Sequence, residues 1–183
     1  LNYSKFIADT YGSKRGLARF IKFNTKRFFG SYRAADHKNV SHIKRLIFIC
    51  SGNICRSPFG EAVSMKVGFP AISFGLHCRG GDPAFEKTLD YAQRHGYNLE
   101  RHRSARMADY QPQPGDLLIV MEPAHLDELN RLYPDQDKIL LGRFADNPTV
   151  YLHDPFNTNQ IFFDKCMQQI EEATLSLINT IKK

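Results

Sequence analysis

Apolar residues in this chain gather in short unbroken runs, separated by stretches with a helical period. Leu46-Ile47-Phe48-Ile49-Cys50 is one such run. It has no polar side to turn outward, so it predicts a strand buried on both faces. Ala71–Phe74, Asp116–Met121 (DLLIVM) and Lys138–Leu141 (KILL) predict three more strands. Between them, Pro58 suits the first turn of a helix and Glu61 adds negative charge to that turn. This helix is expected to run to about Val67, before Gly68-Phe69-Pro70. Asp82-Pro83 reads as the start of a second helix ended by Gly96, and Pro123 opens a third through about Leu132. From Phe162 to Ile181, the residues Phe163, Met167, Ile170, Ala173, Thr174 and Leu177 share one face of a long terminal helix. Strands alternating with helices predict a doubly wound α/β fold, a four-stranded parallel sheet with helices on both faces. Ligands of such sheets bind beyond the carboxyl ends of the strands, and Cys50 lies at such an end.

Charge divides the chain. Its formal net charge is +6, but residues 1–44 carry +8 and residues 45–183 carry −2. The basicity therefore belongs to an N-terminal extension, residues 1–44, and the globular domain is expected over residues 45–183. Within the extension, Leu17, Phe20, Ile21 and Phe28 recur at helical spacing from Ser13 to Phe29. Lys14, Arg15, Arg19, Lys22, Lys26 and Arg27 occupy the other faces. Such a helix suits an anionic membrane surface or an acidic partner. The plainer expectation is that it packs on its own domain or on a second copy. No apolar run approaches the roughly 18–20 residues of a membrane span. Four scattered cysteines make no disulfide scaffold, and a reducing, cytoplasmic setting is expected. The basic arm lacks the aromatic–basic platform of a nucleic-acid binder, so no nucleic acid is expected.

Candidate chemistry lies in Cys50-Ser51-Gly52-Asn53-Ile54-Cys55-Arg56-Ser57-Pro58. A strand feeds a tight loop, and the loop feeds a helix. The loop amides and the helix N-terminus converge into an anion nest. Gly52 permits close backbone approach, and Asn53 tolerates a left-handed conformation. Arg56 offers a planar fork to two oxygens of a phosphate-like dianion. A cysteine on the floor of this nest is expected to ionise readily, and a thiolate beneath a phosphoryl group is aligned for in-line attack. Ser57 can donate its hydroxyl to the sulfur and so help it leave in a second step. No metal or other cofactor is required, and the remaining histidines lack metal-ligand spacing.

On these residues the chain resembles the low-molecular-weight protein tyrosine phosphatases, whose loop pattern C-x-G-N-x-C-R-S-P it matches from Cys50 to Pro58. The resemblance covers about Arg45 to the C-terminus and includes the Asp-Pro-aromatic segment Asp154-Pro155-Phe156. It implies that Cys50 is the nucleophile, Arg56 the phosphate ligand and Asp154 the general acid and base. A donor has its own rationale: a phenolate has a conjugate-acid pKa of about 10, so expelling it near neutrality needs a proton. The resemblance further implies that Ser73 and His102 hold the loop through Asn53. It also implies that Cys55 can form a disulfide with Cys50 under oxidants. A packed, inert thiol is the plainer reading of Cys55. Ile54, His77, Arg79 and Phe156 are expected to line the substrate pocket.

Other readings share the loop. An arsenate reductase of this fold needs relay cysteines downstream, and none lies between Cys78 and Cys166. Relatives acting on phosphoarginine carry threonine where this chain has Ile54. A silent phosphate-binding module would not need Cys50, Arg56 and Asp154 together. The short segment from Leu76 to Gly81 looks bacterial. The resemblance then implies a tyrosine-phosphorylated partner, such as a bacterial tyrosine autokinase controlling exopolysaccharide export.

Overall fold

The computed structural model describes residues 2–30, 32 and 42–183. Its strands are β1 (Arg45–Cys50), β2 (Ala71–Gly75), β3 (Asp116–Val120) and β4 (Asp137–Leu140). They form one parallel sheet in the order β2-β1-β3-β4, as the apolar runs predict. The helices are α1 (Tyr3–Tyr11), α2 (Lys14–Phe28), α3 (Arg56–Lys66), α4 (Glu86–Arg94), α5 (Pro123–Leu132) and α6 (Gln160–Ile181). Alternate residues of β1 serve opposite layers. Leu46, Phe48 and Cys50 join a core with α3, α4 and α6. Ile47 and Ile49 join a second core with Leu126 and Leu129 of α5 and Phe23 of α2. Gly60 of α3 lies against β1: a Cβ there would come within 2.6 Å of the Phe48 ring, so the large strand residue and the missing side chain fit each other.

Several boundaries differ from expectation for identifiable reasons. α3 begins at Arg56, so Pro58 falls in its first turn as expected, but Glu61 lies beyond that turn and adds no charge to it. Proline is tolerated there because N–H groups in the first turn have no intrahelical acceptor. α4 begins at Glu86, not at Asp82-Pro83. The Asp82 N–H goes to Ser104 Oγ at 3.0 Å and the Phe85 N–H to Ile54 O at 2.8 Å. Those external acceptors keep residues 82–85 extended against the loop. α6 starts at Gln160, where Asn159 caps it by accepting the Phe162 N–H at 2.9 Å.

The extension packs on its own domain. α2 is capped by Ser13, whose Oγ accepts the Gly16 N–H at 3.0 Å. Its inward face runs through Gly16, Phe20 and Phe23, and Phe23 is buried against Tyr151. Of the residues expected on the apolar face, Ile21 and Phe28 point outward instead, at 56% and 83% exposure. The helix has aromatic residues on two sides, and the side that meets the aromatic cluster around Tyr151 and His153 is the one that docks. The apolar pattern gives no warning of α1. Residues 1, 31 and 33–41 of the extension lie outside the described residues. Among the described residues, no helix is long and apolar enough to cross a membrane.

Candidate active site

The cup begins where β1 ends. Residues 51–55 carry the chain from Cys50 to Arg56 at the start of α3. Asn53 is wholly buried and has φ 52°, a left-handed conformation that asparagine adopts more readily than most residues. Four contacts lock it. Its Nδ2 donates to Ser57 Oγ at 2.9 Å and to Ser73 Oγ at 2.8 Å. Its Oδ1 accepts from the Ala105 N–H at 2.8 Å, and its carbonyl accepts from His102 Nε2 at 2.7 Å. Burial lowers the pKa of His102, partly offset by this bond to Asn53. With the loop so held, the Asn53 N–H donates to Cys50 Sγ at 3.3 Å, and Ser57 Oγ lies 3.0 Å from the sulfur. Cys55 is buried beside the loop, and burial pushes its thiol up to about 12, so at rest it packs as a neutral side chain.

Arg56 is 2% exposed. Nη1 donates to Leu152 O at 3.2 Å and to Glu122 Oε2 at 3.3 Å, and Nη2 lies 3.4 Å from Asp154 Oδ2. Burial by itself would lower its pKa. The charges of Asp154, Cys50 and Glu122 outweigh that and hold it above its ordinary value. Its Nε is buried with no hydrogen-bond partner. A buried cationic donor left open costs free energy unless an anion takes it, and Cys50 and the loop N–H groups lie in the same turn. Behind the cup, Ser51 Oγ is 3.1 Å from His125 Nε2. Burial, then the charges of Arg56 and His77, push His125 down to about 2, so it is neutral.

The structure brings the expected site residues together in two groups. Cys50, Ser57, Ser73 and His102 bond to Asn53, while Arg56, at the end of the same turn, meets Asp154. Ile54, His77 and Arg79 line one groove together with Asp82 and Phe85. Phe156 stands at its edge, its ring 4.9 Å from that of Phe85. His77 Nε2 is 3.4 Å from Glu128 Oε2. Sequence reasoning missed Glu122, His125 and Phe85. Glu122 and His125 flank a helix-opening proline, and only the fold turns them toward Arg56 and Ser51. Phe85 was hidden by the expectation of a helix from Asp82. Among the described residues, no cluster of side chains is arranged to hold a metal ion.

A parallel sheet that offers a cysteine, an open guanidinium and a carboxylate at the end of its first strand defines a class of anion-handling loop proteins. The sequence model for low molecular weight phosphotyrosine protein phosphatases matches residues 45–183, and the chain belongs to that family. It is 29% identical over 133 residues to the low molecular weight protein-tyrosine-phosphatase Etp of Escherichia coli K12, covering 70% of this chain and 88% of that protein. Among solved structures it resembles the tyrosine phosphatase AmsI of Erwinia amylovora, with TM-score 0.68 and 26% identity over 77% of this chain and 95% of that one. It also resembles the tyrosine phosphatase Wzb of Escherichia coli K30 in complex with sulphate, with TM-score 0.67 and 28% identity over 76% and 99%.

Proposed function

We propose that the chain hydrolyses phosphotyrosine in proteins through a phosphocysteine intermediate, with residues 45–183 as the catalytic domain and residues 1–44 as an appended element. In the first step the Cys50 thiolate forms a bond to phosphorus as the phosphorus–oxygen bond to the tyrosine breaks. Asp154 gives its proton to the leaving phenolate oxygen. Arg56 and the N–H groups of residues 51–55 hold the three equatorial oxygens as charge spreads over them. In the second step the Asp154 carboxylate takes a proton from water, the water oxygen bonds to phosphorus, and the sulfur leaves as a thiolate stabilised by Ser57. Inorganic phosphate departs.

One observation carries this reading: Arg56 is buried, charged, and open at Nε, in the turn that holds the Cys50 sulfur against the Asn53 N–H and the Ser57 hydroxyl. The names of the relatives supply the substrate class. Ile54 and the Phe85–Phe156 pair favour a flat aromatic ring at the entrance. By the same resemblance, the partner is a tyrosine autokinase met in the cytoplasm, in an exopolysaccharide export system.

Hydrolysis of p-nitrophenyl phosphate should be abolished by Cys50→Ser. Phosphate should be released from phosphotyrosine peptides and not from phosphoarginine peptides. Turnover surviving in Cys50→Ser removes the proposed nucleophile, and preference for phosphoarginine removes the proposed substrate. An Asp154→Ala variant should trap phosphotyrosine proteins from lysate, and the absence of a tyrosine kinase among them would exclude the proposed partner.

A further inference from the structure

The N-terminal helices grip the Asp154 segment on both of its sides. Before Asp154, the Phe20 ring stacks on His153 at 5.9 Å and 16°. Phe23 packs on Tyr151 at 5.3 Å, and Arg27 Nη1 donates to Pro148 O at 2.7 Å. Arg19 lies beside Tyr151, whose hydroxyl holds the guanidinium above its ordinary pKa. After Asp154, the Asp9 carboxylate accepts from Asn159 Nδ2 at 2.9 Å and the Asp9 carbonyl from Lys165 Nζ at 3.1 Å. Gly12, which joins α1 to α2 with φ +72°, lies so close to Phe162 that a Cβ would sit 2.6 Å from its ring.

Asp154 itself is weakly restrained. Its contacts with Arg56 Nη2 and with the Phe156 N–H are both 3.4 Å, long for hydrogen bonds that fix a carboxyl group. Its placement is therefore inherited from its flanks. Within residues 45–183 those flanks are tied by the Leu152 N–H to Met121 O at 2.9 Å, by Arg56 Nη1 to Leu152 O at 3.2 Å, by Lys87 Nζ to Thr158 O at 2.7 Å, and by the ring contacts of Phe162 with His153 at 5.3 Å and of Phe85 with Phe156 at 4.9 Å. The contacts from residues 9–27 add to these from outside the part that matches the family.

We propose that α1 and α2 are a positioning element for proton transfer: they fix the Asp154 carboxyl group over the cup and leave phosphate binding to the loop. This rests on the reading of Asp154 as the proton donor. A donor must come within hydrogen-bond reach of the leaving oxygen. Loosening its support should therefore matter most when the leaving group is a strong base.

The test compares kcat/KM for phenyl phosphate, whose leaving group has a conjugate-acid pKa of about 10, with kcat/KM for p-nitrophenyl phosphate, whose leaving group is a far weaker base. In the full chain, Phe20→Ala should lower the first roughly ten-fold and the second less than about three-fold, in line with a displaced catalytic group. The inhibition constant of inorganic phosphate should not move, and Phe20→Trp should restore the rate. Asp154→Asn should show the same selectivity more strongly, and adding Phe20→Ala to it should cost nothing more. If Phe20→Ala does not fold, Arg27→Gln makes the same comparison at an exposed bond. Equal losses on both substrates, no loss on either, or a further loss in the Asp154→Asn background would overturn the proposal. Selectivity in Asp154→Asn without selectivity in Phe20→Ala or Arg27→Gln sinks the positioning role alone. Equal losses in Asp154→Asn sink the proton-donor reading and the positioning role with it.

Discussion

The cup and the acid segment meet at Arg56, yet they are built in opposite ways. The cup is nine consecutive residues between a buried strand and a helix, and its shape is locked at Asn53, by Ser57 inside the cup and by Ser73, His102 and Ala105 of the same family-matching part of the chain. The segment from Pro148 to Asn159 has no regular structure of its own and is held by pieces from both ends of the chain. Anion binding needs several donors converging on one point, which a continuous turn supplies cheaply in entropy. Proton transfer needs one group placed at the end of a long lever, and that placement can be supplied by whatever packs alongside. The first arrangement is rigid and readable in sequence. The second is adjustable, and it gives an added element such as α1 and α2 a route into the chemistry.

The sharpest way to break the contrast is at Arg56. Arg56→Lys keeps the charge but loses the planar fork. We expect kcat/KM to fall about 10³-fold on phenyl and p-nitrophenyl phosphate alike, the scale seen when a transition-state donor is removed, and phosphate inhibition to weaken in parallel. A loss that depended on the leaving group would place Arg56 in the proton-transfer half and blur the division.

Next in size is Asn53→Ala. The variant forfeits the bonds to Ser57, Ser73 and Ala105 and forces a Cβ-bearing residue without a compensating amide into φ 52°. Denaturant titration should show a loss of about 2–4 kcal/mol, with activity falling on both substrates. Asn53→Gly relieves the backbone and should recover about 1 kcal/mol while leaving the hydrogen bonds unmade. A recovery of the full stability would mean that the side-chain network contributes nothing.

The two regions also differ in how far the sequence discloses them. Cys50, Asn53, Arg56 and Ser57 lie within eight consecutive residues, and their spacing alone implies strand, nest and helix. The sheet follows from unbroken apolar runs for the same local reason. Asp154 is visible only through its Asp-Pro-aromatic pattern. Its supports are not visible, because nothing local relates Phe20 to His153 across some 130 residues. The docking face of α2 is concealed by a second set of apolar residues, Ile21 and Phe28, at equally good helical spacing. Glu122 and His125 look like ordinary residues at a strand-to-helix turn until the sheet order places β3 beside β1. Local rules hold where the chain folds on itself. They fail where long-range packing decides which of two equivalent faces is used.

A smaller effect tests the lever directly through His153. Burial, and secondarily Arg56, push its pKa down to about 4, against about 6.5 for a free histidine. The folded state therefore favours the neutral ring. The stability linked to this group is complete above about pH 6.5 and is lost as the pH falls toward 4. Removing the stacked ring with Phe20→Ala opens His153 to water, so its pKa should rise toward the free value. NMR titration of the His153 ring protons reads that shift directly. The stability gap between the wild type and Phe20→Ala should then be widest near pH 7 and shrink on acidification, by up to about 2 kcal/mol. If the gap stays constant from pH 7 to pH 4, and the His153 titration does not move, α2 does not cover this ring in solution. The acid segment would then, like the cup, be held by residues 45–183 alone.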